Sequence, residues 1–142
     1  MGELVGLPEW LFVTLWVGAG LLMWLALGAY FHRKARRRLA EKRPSPTHEE
    51  FVELLRCDVD ADIAEWMWGN LQDYYTPLTP HPDDHLFDDG CIDSDDVSMD
   101  WLPAFAEPRG LPSKKWPAWP LEWDPTVRNF ARWLQLGRDQ LG

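Results

Sequence analysis

The sequence predicts an all-α protein: one N-terminal membrane-spanning helix followed by a small helical bundle. Three observations carry this. Trp10 to Phe31 is an apolar run without a charged side chain, and a dense basic cluster follows it directly. The rest of the chain alternates helix start signals with apolar residues at helical spacing. The predicted organisation is a short extracytoplasmic N-terminus (1–9), the spanning helix (10–31), a basic juxtamembrane linker (32–46), a short connecting helix (47–58), the helical domain (60–137) and a tail (138–142).

The 22 residues from Trp10 to Phe31 rise about 33 Å as a helix, enough for about 30 Å of hydrocarbon. A helix satisfies its own backbone donors and acceptors, which lipid cannot do. Trp10 and Tyr30 bracket the run at headgroup depth. Arg33, Lys34, Arg36, Arg37 and Arg38 come next, then Lys42 and Arg43, whereas only Glu3 and Glu9 are charged before Trp10. The positive-inside bias therefore puts the N-terminus outside and residues from 32 onward in the cytoplasm. A cleaved signal peptide needs a basic start and a shorter apolar stretch, and neither is present. Gly2 is a poor myristoylation site because Gly6 stands where Ser or Thr is required. Gly18, Gly20, Gly28 and Ala29 form no GxxxG pair.

Charge is distributed unevenly. Through Arg43 the chain carries seven basic and three acidic residues; from Pro44 onward it carries seven basic and twenty acidic ones. The acidic part would be repelled by nucleic acid and suits a basic protein partner. The basic flank sits against anionic lipid. Cys57 and Cys91 form no CxxC, and in the cytoplasm they are expected as reduced thiols. Seven of the ten Trp residues lie in the soluble part and supply large apolar area for a small core.

Pro44-Ser45-Pro46 ends the helix leaving the membrane. Thr47-His48-Glu49-Glu50 is a capping box ahead of Phe51, Val52, Leu54 and Leu55, predicting a helix over 48–57. Asp62 to Glu65 repeats the cap pattern, and Ile63, Trp66, Met67, Leu71 and Tyr74 share one face, predicting a helix over 61–74. Prolines 77, 80 and 82 make the following stretch a loop. Ser94 or Asp95 can cap a third helix that Pro103 kinks or restarts. Residues 112–125 interleave four prolines with Trp116, Trp119 and Trp123 and predict no regular element. Asp124-Pro125 predicts the N-cap of the last helix, with Gly137 at its end.

Leu86-Phe87-Asp88-Asp89, then Asp93-Ser94-Asp95-Asp96, then Asp124-Pro-Thr-Val-Arg-Asn-Phe-Ala-Arg-Trp-Leu, follow a helix and a proline-containing loop. In that order, over about residues 60–136, the chain resembles an acyl carrier protein. Thr79-Pro80 before Asp84-His-Leu-Phe-Asp-Asp is also similar to a bacterial acyl-carrier-like family of unknown function. Together with the span and its charge bias, the bacterial likeness gives an expected inner-membrane protein with its domain in the cytoplasm. It further implies 4′-phosphopantetheine on Ser94 beside Asp93, with Asp95, Asp96, Asp100 and Trp101 on the partner-docking helix. Asp95 stands where carriers usually have an apolar residue, and Ser94 serves equally well as a plain helix cap.

No Ser-His-Asp, HExxH, P-loop or dinucleotide-binding signature is present, and the acidic run 83–100 does not fit an EF-hand. His81 and His85 form a loose zinc pair in a proline loop. Lys114, Pro117 and Pro120 match a common polyproline-ligand spacing. The expected function is a membrane-anchored cytoplasmic acyl-carrier-like module that binds protein partners, lacks catalysis of its own and needs no cofactor or metal. The alternatives are a working carrier with 4′-phosphopantetheine on Ser94, and an acidic inhibitory protein of the immunity type.

Overall fold

A computed structural model describes residue 6 and residues 8–142, so most of the predicted N-terminal segment 1–9 lies outside the described residues. The chain forms two compact units, Met1–Arg38 and Leu39–Gly142, and the regular structure among the described residues is all helical apart from a single bridge between His85 and Thr126.

The first helix, α1 (Glu9–Lys42), runs through the first unit, and its last turn belongs to the second. Among the described residues it is long and apolar enough to cross a membrane, and none of its apolar window is buried. Trp10, Leu22 and Trp24 are each about 70% exposed. A helix apolar on all sides is stable only inside a protein core or in lipid.

Residues 32–46 are not the linker that composition suggested. α1 continues to Lys42 and stops just before Pro44. Leu39 is 2% exposed in the domain core. The Arg43 guanidinium donates to both carboxylate oxygens of Asp84 at 2.8 and 2.6 Å, and to the Thr79 carbonyl at 2.8 Å. Asp84 in turn accepts the His81 amide. Only a fork-shaped cation fills this set of acceptors. The domain therefore begins at Leu39.

In α2 (His48–Leu55) both halves of the capping box are present: Glu50 N–H donates to Thr47 Oγ1 and Thr47 N–H to Glu50 Oε2. In α3 (Ala61–Tyr75) the N-cap is Asp60, not Asp62, and Ile63, Ala64, Met67, Leu71 and Tyr75 are buried. Trp66 and Tyr74 flank that stripe, half-buried.

The third helical stretch opens at Ser94, passes through a π-helical turn (Asp96–Trp101) and continues as α4 (Leu102–Ala106). Pro103 stands in the first turn of α4, directly after the π-helical turn, and does not end the helical stretch. Two short 3-10 turns, Glu107–Arg109 and Ser113–Lys115, lead into the Trp-rich segment.

The last helix, α5 (Val127–Leu141), departs from the sequence reading at both ends. Its N-cap is Thr126, whose hydroxyl accepts the Asn129 amide; Asp124 and Pro125 lie ahead of it. The amides of Val127 and Arg128 donate to the Asp84 and Pro82 carbonyls, so the proline loop satisfies the donors a helix start leaves open. Gly137 does not end the helix. A Cβ there would stand 2.0 Å from the Trp116 ring, so glycine is what lets that indole pack onto α5.

Candidate functional site

The helical stretch from Ser94, the Leu86-Phe87 turn and α5 enclose an apolar cleft of about 380 Å³. Leu86, Phe87, Val97, Trp119, Phe130 and Trp133 line it, and the exposed Ser94 and Ser98 stand at its lip. That volume lies in the lower part of the range for small-ligand pockets.

The indoles are held by their N–H groups. Trp119 Nε1 donates to the Trp123 carbonyl at 3.0 Å and Trp133 Nε1 to the Pro117 carbonyl at 2.9 Å. With their polar atoms spent on backbone, the rings offer only apolar surface to the cleft. Trp119 and Trp133 meet at 5.6 Å between centroids, and each also packs on Phe130. Arg132 lies over the Trp123 ring at 4.3 Å and steadies the same segment. This order explains the irregular stretch 112–125: prolines remove backbone donors, and indoles occupy the acceptors that remain. Pro117 is half-buried, and its carbonyl is occupied by the Trp133 indole N–H.

Ser94 is exposed and does not cap its helix. Asp93 does so: the Asp95 amide donates to Asp93 Oδ1 at 2.9 Å. One turn on, Ser98 gives its hydroxyl to the Asp95 carbonyl. Ser94 is thus the lip hydroxyl without an internal hydrogen bond among the described residues. The expectation that Ser94 or Asp95 is the N-cap is corrected to Asp93, one residue earlier.

The predicted partner-facing residues separate. Asp95 and Asp100 are exposed, whereas Asp96 is half-buried with the Tyr74 hydroxyl 3.5 Å away. Trp101 is only 3% exposed. Its ring meets Tyr74 and Phe130 edge-on, so it is core and not available to a partner. Met99, 71% exposed on the same helical stretch, is the apolar side chain that does face outward. Sequence reasoning missed it because the π turn shifts the helical phase. It also missed Trp133 and Phe130 as cleft walls, although their i, i+3 spacing on one helix was a usable signal.

His81 and His85 each accept a backbone amide on Nδ1, from Asp83 and Asp88. Among the described residues no three His, Cys, Asp or Glu side chains gather as a metal site. Trp10, Tyr30, Arg33, Lys34, Arg36, Arg37 and Arg38 all lie on α1. Compared with known proteins, the chain matches no family model, no curated protein and no solved structure.

Proposed function

We propose that the chain is a non-catalytic, acyl-carrier-like binding module, tethered by α1 to a bacterial inner membrane with its C-terminal domain in the cytoplasm. The observation that carries this reading is the apolar cleft beside the unbonded Ser94 hydroxyl. An acyl chain is the ligand class that suits aromatic and aliphatic walls lacking polar groups. Asp95, Asp100 and Met99 form an acidic and apolar surface next to the cleft, suited to a basic partner.

A second reading, covalent carriage on Ser94, is favoured by the capping geometry. Because Asp93 takes the cap, Ser94 Oγ is spare for a phosphodiester to 4′-phosphopantetheine, whose thiol would carry the acyl group. Asp93, Asp95 and Asp96 oppose a phosphate electrostatically. Each exposed carboxylate costs only about 1 kcal/mol at 4 Å in water, which does not undo a covalent bond. Intact mass of the full chain from its native host tests the reading. A gain of about 340 Da, absent from Ser94→Ala, supports covalent carriage. An unmodified mass together with a co-purifying fatty acid supports reversible binding. An unmodified mass with no acyl ligand counts against both.

A further inference from the structure

Of the seven cations after the apolar span, Arg36 is only 7% exposed, so it is not the lipid-facing side chain the sequence suggested, and the other six split into two groups with different work. Lys42 pairs with Asp89 at 3.3 Å, and Arg43 is committed to Asp84. Arg33, Lys34, Arg37 and Arg38 are all exposed, and none forms an ion pair among the described residues. Glu41, the nearest carboxylate along the helix, pairs with none of them.

At about 100° per residue these four cations fall within about 140° of the helix circumference. They rise only about 8 Å along the axis, close to the Debye length at physiological salt. Lys42 stands about 14 Å above Arg33, beyond that length. On the membrane reading of α1 proposed above, we infer that Arg33, Lys34, Arg37 and Arg38 form a headgroup site for anionic phospholipid. Charge complementarity selects the occupant. A zwitterionic headgroup offers these cations no net charge, whereas each anionic lipid does. These four unpaired cations also lie nearer the apolar span than Lys42 and Arg43 do. Each contributes about fivefold to the preference for anionic lipid, the equivalent of about 1 kcal/mol.

The test is native mass spectrometry of the full chain, solubilised in mild detergent with equal amounts of phosphatidylglycerol and phosphatidylcholine. Micelles impose no orientation, so altered insertion of a variant does not confuse the result. The wild type should retain phosphatidylglycerol preferentially, and less so as salt is raised. Substituting all four positions (R33Q, K34Q, R37Q, R38Q) should bring the two lipids near parity, whereas K42Q should keep the wild-type preference. Equal retention of both lipids by the wild type, or an unchanged preference in the fourfold variant, would overturn the inference alone. Release of the wild type from native membranes by alkaline carbonate would instead overturn the membrane reading, and this inference with it.

Discussion

Trp24 and Trp101 are the same side chain in opposite settings: the first is 71% exposed and the second 3%. Trp101 meets Tyr74 and Phe130 edge-on, and in the same domain the Trp119 and Trp133 indoles anchor on backbone carbonyls. In α1 the apolar side chains from Trp10 to Phe31 have no comparable enclosure. The difference teaches where the energy comes from. The domain from Leu39 onward gains stability by removing its own apolar surface from water, whereas the apolar surface of α1 is left uncovered among the described residues.

The contrast is tested most severely at Phe130, which is 1% exposed and touches Trp101, Trp119 and Trp133. Phe130→Ala should cost about 3–5 kcal/mol in chemical denaturation of the full chain in mild detergent. Leu22→Ala, at a side chain 69% exposed, should leave the domain transition where it is. Equal losses from both would show that the two units are stabilised alike.

Two cations at the end of α1 sharpen the same boundary. Asp84→Ala strands the Arg43 guanidinium, whose side chain is only 10% exposed, and should cost about 3–5 kcal/mol. Asp89→Ala breaks the pair with Lys42, whose side chain is 64% exposed. By charge pairing alone that loss is about 0–1 kcal/mol, and Lys42→Gln isolates it. If Asp84→Ala melts like the wild type, Arg43 is not part of the domain.

Gly137→Ala sets two effects against each other. Helix propensity alone favours alanine by about 1 kcal/mol. The new methyl, however, would meet the Trp116 ring at 2.0 to 2.4 Å, and forced repacking costs about 1–3 kcal/mol. The structure therefore predicts a net loss, read as a lower denaturation midpoint. A gain would mean that Trp116 is free to leave α5.

Local signals were legible and distant ones were not. The Thr47–Glu50 capping box and the Ile63, Met67, Leu71 face are written within a few residues, so periodicity and cap chemistry find them. Arg43 and Asp84 lie 41 positions apart and leave no periodic trace. The Arg43 side chain therefore reads as one more cation in a lipid-facing run. Thr126 competes with Asp124 as a cap, and the choice is made by the Pro82 and Asp84 carbonyls from a distant loop. At the candidate site, Ser94 and Asp93 stand out by motif, whereas the aromatic lining, Trp119 and Trp133, is assembled from segments with no local pattern in common. The roles within the motif were misread by one residue. Asp93→Ala should therefore cost about 0.5–2 kcal/mol as a lost cap, and Ser94→Ala almost nothing, in the same denaturation assay.

The smallest expected effect lies at the exposed junction of α3 and α5. Asp60 accepts a hydrogen bond from Arg138 and another from the Gln135 side chain, while its own amide donates to Gln135 Oε1. The Arg138 bond, and after it the Gln135 bond, hold the Asp60 carboxyl below its ordinary value of 3.8. A carboxyl lowered in the folded state binds its proton more weakly there than in the unfolded chain. Its stabilisation is therefore complete above about pH 4 and lost as pH falls through the folded value. Asp60→Asn removes the titrating charge and keeps the shape. The melting temperature of the wild type should exceed that of Asp60→Asn near pH 6, and the gap should close as the solution is acidified below pH 4. Added salt should narrow the gap at pH 6, because the pair is open to solvent and screened. A gap that persists unchanged to pH 2 would mean that asparagine loses something other than charge, such as its fit beside Gln135.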